Sequence, residues 1–91
     1  MERVDFCDIL YIEGMGAYLR MVTKHSKIMT LQSFAQMENQ LPSEQFHRIH
    51  KSFIVSLNKI ESIERNVVKI GEQRIPIGKN YQEEFYRKIA K

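Results

Sequence analysis

Apolar residues in this chain recur in runs of four to seven, rich in Ile, Val, Tyr and Phe, and polar or glycine-containing turns interrupt every run. That spacing leaves little room for long helices and matches the length and composition of β-strands. The sequence therefore predicts a mainly β fold. Residues 3–6 and 8–13 open the series, and Ile9-Leu10-Tyr11-Ile12 is solidly apolar, as a strand buried on both faces would be. Gly14-Met15-Gly16 reads as a turn. Residues 17–23 then alternate, with Tyr18, Arg20 and Val22 on one face and Leu19, Met21 and Thr23 on the other. Lys24-His25-Ser26-Lys27 makes a polar hairpin turn, and residues 28–31 return from it.

One segment keeps a helical period instead. Phe34, Met37 and Leu41 lie three and four apart, Ser33 with Gln36 fits a capping box, and Pro42 ends the pattern, which predicts a short helix over about 33–41. Residues 46–49, 53–56, 60–64, 67–70 and 74–77 read as five further strands, separated by Leu57-Asn58-Lys59, Arg65-Asn66 and Gly71-Glu72. Near the end, Asn80 with Glu83 resembles a cap and its partner, and Tyr81, Phe85 and Ile89 recur every four residues, the mark of a second short helix. At 91 residues the chain reads as one domain over 1–91, since a second core would leave each half too little apolar surface to bury.

Composition narrows the function classes. With 43% hydrophobic and 27% charged residues the chain resembles an ordinary globular domain. No window approaches the roughly 18 apolar residues of a membrane span, and Glu2, Arg3 and Asp5 stand where a signal peptide would be apolar, so no membrane contact is expected and the cytoplasm is the expected compartment. The single cysteine, Cys7, reads as a half-buried strand residue. A net charge of +3 permits an anionic partner without demanding one. Its distribution says more: His47-Arg48-Ile49-His50-Lys51 carries no acid, and between Lys69 and Lys79 only Glu72 opposes Lys69, Arg74 and Lys79.

The segment from Phe46 to Val55 is the most unusual, because cationic and hydrogen-bonding groups sit between two apolar strand pieces. Phe46 and Ile49 fall in different strand phases, which calls for a bend or bulge and would push Lys51 outward at a loop tip. Lys51 could then meet guanine O6 or N7 or a phosphate, with Arg48 and Ser52 near the backbone, although a solvated turn explains the same composition. His47, His50, His25 and Cys7 lack the paired spacing of zinc ligands, so no metal is expected, nor any other cofactor. Gly14-x-Gly16 fails as a dinucleotide fingerprint because Leu19 holds the third position in a strand. His50 and Ser52 have no oriented third partner, and no enzyme is expected. Lys79 and Asn80 stand at a strand-to-helix junction, where base or phosphate contact competes with simple capping for the Asn80 side chain.

Taken in order, Asp8-Ile9-Leu10-Tyr11-Ile12-Glu13, Tyr18-Leu19-Arg20, Leu41-Pro42, Phe46-x-Arg48-Ile49-His50-Lys51-Ser52-Phe53-Ile54-Val55, Asn58-Lys59-Ile60 and Ile75-Pro76-Ile77 resemble the LytTR pattern over nearly the whole chain. The resemblance implies about ten short strands in an elongated stack of small antiparallel sheets, with one short helix in the middle. It implies sequence-specific binding of double-stranded DNA, as the output domain of a bacterial response regulator, by loops that enter successive major grooves. Paired direct repeats, a dimer or tandem copies on DNA, and an N-terminal receiver domain belong to the same implication. By position the DNA-binding residues are Tyr18, Arg20, Arg48, His50, Lys51, Ser52, Lys79 and Asn80, with Arg48 and His50 bracing the middle loop rather than reading a base. This sequence departs from the pattern at Ser56, where Asn is common, at Gly78, where Ser is common, and at Asn80, where a second basic residue is frequent. A β-rich protein-interaction module without nucleic acid is the competing expectation. An RNA-binding β domain would need an aromatic-rich strand, which this sequence does not show.

Overall fold

A computed structural model describes residues 4–90. Its strands are β1 (Ile9–Met15), β2 (Tyr18–Thr23), β3 (Lys27–Thr30), β4 (Phe46–His50), β5 (Phe53–Ser56), β6 (Ser62–Glu64), β7 (Val67–Ile70) and β8 (Gln73–Pro76). Helix α1 (Phe34–Gln40) separates β3 from β4, and α2 (Gln82–Ile89) ends the described chain. The strands form a five-stranded antiparallel sheet, in the order β3-β2-β1-β5-β4, and a three-stranded one, β6-β7-β8. The described residues thus hold eight strands in two sheets, against the expected ten or so, and extend over 37 × 24 × 22 Å.

The differences have local causes. In the expected first strand, Arg3 lies outside the described residues, Val4 and Asp5 are irregular, and Phe6–Asp8 closes a 3-10 turn in which the Asp8 N–H donates to the Asp5 carbonyl at 3.0 Å. Cys7 sits exposed on that turn rather than half-buried on a strand. Gly14 and Met15 extend β1 instead of turning, because they pair with Leu19 and Tyr18, so the turn shrinks to Gly16-Ala17. Asn80 does not cap α2: Lys79–Tyr81 forms a 3-10 turn ahead of the helix, and Tyr81 takes the capping position without a side-chain bond.

Helix α1 follows the sequence closely. Ser33 accepts from the Gln36 N–H, and the Gln36 side chain accepts in return from the Ser33 N–H, satisfying two backbone donors at the helix start. Its stripe covers one face of the large sheet, where Met37 and Leu41 pack with Ile9, Ile12, Leu19, Phe46 and Ile54. The opposite face turns Tyr11, Val22, Ile49 and Val55 toward the small sheet and α2, whose Val68, Ile70, Ile75 and Phe85 complete a second core. Strand alternation accounts for both cores, since β1 sends Tyr11 one way and Ile12 the other. Phe46 and Ile49 likewise serve opposite cores, and the expected irregularity falls at Ile49 itself, as a register shift between Arg48 and His50.

Phe85 is fully buried, and its ring centroid lies 5.9 Å from that of His47. Truncation by Phe85→Ala should cost about 3–5 kcal/mol, read as a lower urea midpoint with little change of slope. Burial beside this ring holds His47 below the usual imidazole range, with Lys88 adding to the effect and Glu84 and Glu38 opposing it. The unfolded chain therefore takes up the proton first as pH falls below about 6.5, so this contribution to stability is full above that pH. It declines on acidification until the lower folded value is passed. A series of unfolding midpoints from pH 7.5 to 5 should show a shallower acid-side decline for His47→Gln than for the wild type.

Candidate nucleic-acid interface

The β4–β5 turn is short and internally bonded. The His50 Nδ1 accepts from the Ser52 N–H at 3.1 Å, which fixes the ring by its own turn. Lys51 occupies the tip, exposed and without an ion-pair partner among the described residues. The Ser52 carbonyl accepts from the Gly14 N–H at 2.8 Å, tying the turn to the end of β1 and hence to the Gly16-Ala17 turn. On the other side, the Ile49 carbonyl accepts from the Gly78 N–H at 2.7 Å, which brings the Lys79-Asn80 segment alongside. Three loops distant in sequence are thereby fastened to one another through backbone bonds.

Arg48 holds the junction together. Its Nε donates to the His50 carbonyl at 3.2 Å, one terminal nitrogen donates to the Lys51 carbonyl, and the other meets the Glu38 carboxylate of α1 at 3.3 Å. The guanidinium lies 4.3 Å from the Phe34 ring centre and 5.9 Å from that of Tyr81, within the range of cation–π attraction. Each ring lies against a glycine, Gly14 at the end of β1 and Gly78 after β8. A Cβ on Gly14 would come within 2.9 Å of the Phe34 ring, and one on Gly78 within 3.0 Å of the Tyr81 ring.

The remaining expected site residues separate into two kinds. Lys79 and Asn80 are exposed, and the Asn80 amide makes no hydrogen bond among the described residues, so capping does not occupy it. Tyr18, opposite Met15 at the Gly16-Ala17 turn, is 47% exposed. Arg20 is different: Glu13 stands directly opposite it on β1, the two side chains form an ion pair, and the Arg20 Nε is buried without a partner. Burial raises the Tyr11 hydroxyl above the usual phenol range, with the charge of Glu13 adding to the rise and that of Arg20 opposing it. Arg48, His50 and Ser52 are half-buried and bonded within the β4–β5 turn, so among the eight expected residues Lys51, Lys79, Asn80 and Tyr18 are the exposed ones. Sequence reasoning missed Glu13, Phe34, Glu38 and Tyr81 as supports of this end. Glu13 and Arg20 were both within recognised motifs, but only the strand register reveals that they meet.

The model of the LytTr DNA-binding domain family matches residues 1–90. The CO-responsive transcriptional regulator RcoM of Rhodospirillum rubrum is 31% identical over 64 residues, 70% of this chain and 27% of that protein. The sensory transduction protein LytT of Bacillus cereus is 25% identical over 88 residues, 90% of this chain and 36% of that protein. The chain thus spans about a third or less of the length of these curated relatives. A solved Bacillus cereus structure, described as the LytTr DNA-binding domain of a methyl-accepting/DNA response regulator, superposes with a TM-score of 0.90 at 23% identity, covering 97% of this chain and 86% of its own. It shares the fold of two antiparallel sheets with helices after β3 and β8. On the family match across nearly its full length, the chain belongs to the LytTR family of DNA-binding domains.

Proposed function

We propose that this chain acts as one domain that binds duplex DNA sequence-specifically, as the output module of a bacterial transcription regulator working in the cytoplasm. Its three joined loops meet successive major grooves. Lys51, Lys79 and Asn80 offer donors to base edges or phosphates, and Tyr18 supplies an aromatic surface beside them. Arg48, His50 and Ser52 act by holding the middle loop in place. The proposed ligand is a pair of direct repeats occupied by two copies, with a receiver domain preceding this one in the whole protein. The observation that carries the reading is the fastening of three loops into one end by the Gly14 and Gly78 backbone bonds, with Arg48 bracing the middle one, so that Lys51, Lys79 and Asn80 stand open beside Tyr18.

The electrostatic part is directly measurable by fluorescence polarisation over a salt series. If the loops neutralise about four to six phosphates, log K should fall by about 0.9 per phosphate for each unit of log salt. Lys51→Ala should cost about 1–3 kcal/mol on a selected site if it reads a base, and less, evenly across sequences, if it meets only phosphate. Unchanged affinity of the Lys51→Ala/Lys79→Ala double variant would overturn these roles, and absence of any salt-sensitive binding by the wild type would favour the protein-interaction module. Arg48→Lys keeps the charge but loses the planar fork, so specific affinity should drop roughly tenfold while binding to random duplex changes little. Glu13→Gln releases Arg20 and removes a negative charge; binding to random duplex should strengthen, and its salt slope should steepen by about one phosphate equivalent.

A further inference from the structure

The small sheet carries charges that the three loops do not use. Its inner face gives Val68, Ile70 and Ile75 to the core, and alternation turns Ser62, Glu64, Val67, Lys69 and Arg74 outward. With Arg65 these residues line a groove of about 380 Å³. Two features make this groove unfavourable for an isolated domain. Lys69 stands directly opposite Arg74 on the neighbouring strand, and like charges in that position repel. Arg65 and Asn66 form the two-residue turn between β6 and β7 with φ of 51° and 62°, a left-handed conformation that glycine or asparagine adopts more readily than arginine.

The acids nearby do not balance these cations. Glu61 approaches Lys69 only at 3.8 Å, with both side chains substantially exposed, and its other oxygen accepts from the Gly71 N–H at 3.0 Å. Glu64 lies in the groove without an ion pair, and Arg65 and Arg74 likewise have none among the described residues.

The turn is also fixed in position relative to the loop end. The Asn66 carbonyl accepts from the Ile77 N–H at 2.8 Å, and its side-chain oxygen accepts from the Tyr86 hydroxyl at 2.9 Å. Ile77 immediately precedes Gly78, whose own N–H is bonded to Ile49. The Arg65 tip therefore stands beside the segment leading to Lys79. Lys69 and Arg74 lie roughly 7 Å further along the strands, two residues in from the Val67–Pro76 pair.

We propose that the outer groove of the small sheet, through Arg65, Lys69 and Arg74, is a second contact surface for the DNA backbone, taking phosphates of duplex that flanks the sequence read by the loops. The proposal rests on the DNA-binding reading above. A partner with a regular row of phosphates relieves the Lys69–Arg74 repulsion and gives a reason for arginine at the left-handed turn.

The test compares two duplexes bearing the same selected site, one ending close to it and one extended by about one helical turn on each side. Wild type should gain affinity on extension, and its salt slope should steepen by about two phosphate equivalents. Lys69→Gln/Arg74→Gln should bind the short duplex as wild type does, within about twofold, and gain little on extension. Arg65→Asn should raise the urea midpoint by relieving the left-handed strain while reducing the gain on extension, so lower affinity cannot be ascribed to a damaged fold. An equal gain on extension in wild type and variants overturns the groove assignment and leaves the loops' role standing. A wild type that gains nothing on extension also overturns it, as would be found if the groove took an acidic protein instead. Loss of salt-sensitive binding by the wild type on both duplexes overturns the groove and the DNA-binding reading together.

Discussion

The Arg48 guanidinium is the point on which the loop end depends. A single planar cation donates to two consecutive backbone carbonyls of one turn, His50 and Lys51, while its faces lie near Phe34 from α1 and Tyr81 from the entry to α2. Its ion pair with Glu38 is the weakest of these contacts, because Glu38 is 45% exposed and water competes for it. Carbonyl acceptors that would otherwise need solvent, together with two aromatic rings, contribute more, since their geometry suits a flat fork and no other side chain. The same rings fill the space left by Gly14 and Gly78, so packing, cation and loop position form one arrangement.

That arrangement explains why a small structure of two antiparallel sheets can present a defined surface from loops. Loops alone are variable, but here each is tied to a neighbour by a backbone bond whose donor or acceptor lies next to a glycine or a bulge. The cores behind them are separate, one under α1 and one under α2, and β4 contributes Phe46 to the first and Ile49 to the second. Arg48 lies between these two residues in sequence and points to the α1 side, so the strand that joins the cores also carries the brace. Charge is distributed with similar economy: Glu13 restrains Arg20 on the sheet, whereas Lys51 and Lys79 remain open.

Much of the fold was legible because it follows from local periodicity. Ser33, Gln36, Phe34, Met37, Leu41 and Pro42 define α1 without help from the rest of the chain, and the double-sided apolar run at Ile9–Ile12 identified the central strand. What was not legible depended on pairing. Residues 4–6 have strand-like composition, yet the chain turns through Asp5 and Asp8 before β1 begins. Asn80 looks like a cap by spacing, but the Tyr81 N–H bonds the Gly78 carbonyl at 2.8 Å and draws the chain into a 3-10 turn first. The site divided in the same way. The exposed tips at Lys51 and Lys79 could be read from composition, whereas the Arg20–Glu13 pair and the Phe34–Arg48–Tyr81 contact join residues far apart in sequence and required the register.

These three loops are proposed to act as one DNA-reading unit. This is tested most directly by titrating isotope-labelled protein with a selected duplex and following backbone amide resonances. Residues 16–20, 50–52 and 78–81 are expected to shift together and saturate at one common midpoint. Shifts confined to a single loop, different midpoints for the three, or a response centred on the outer face of α1 would contradict it.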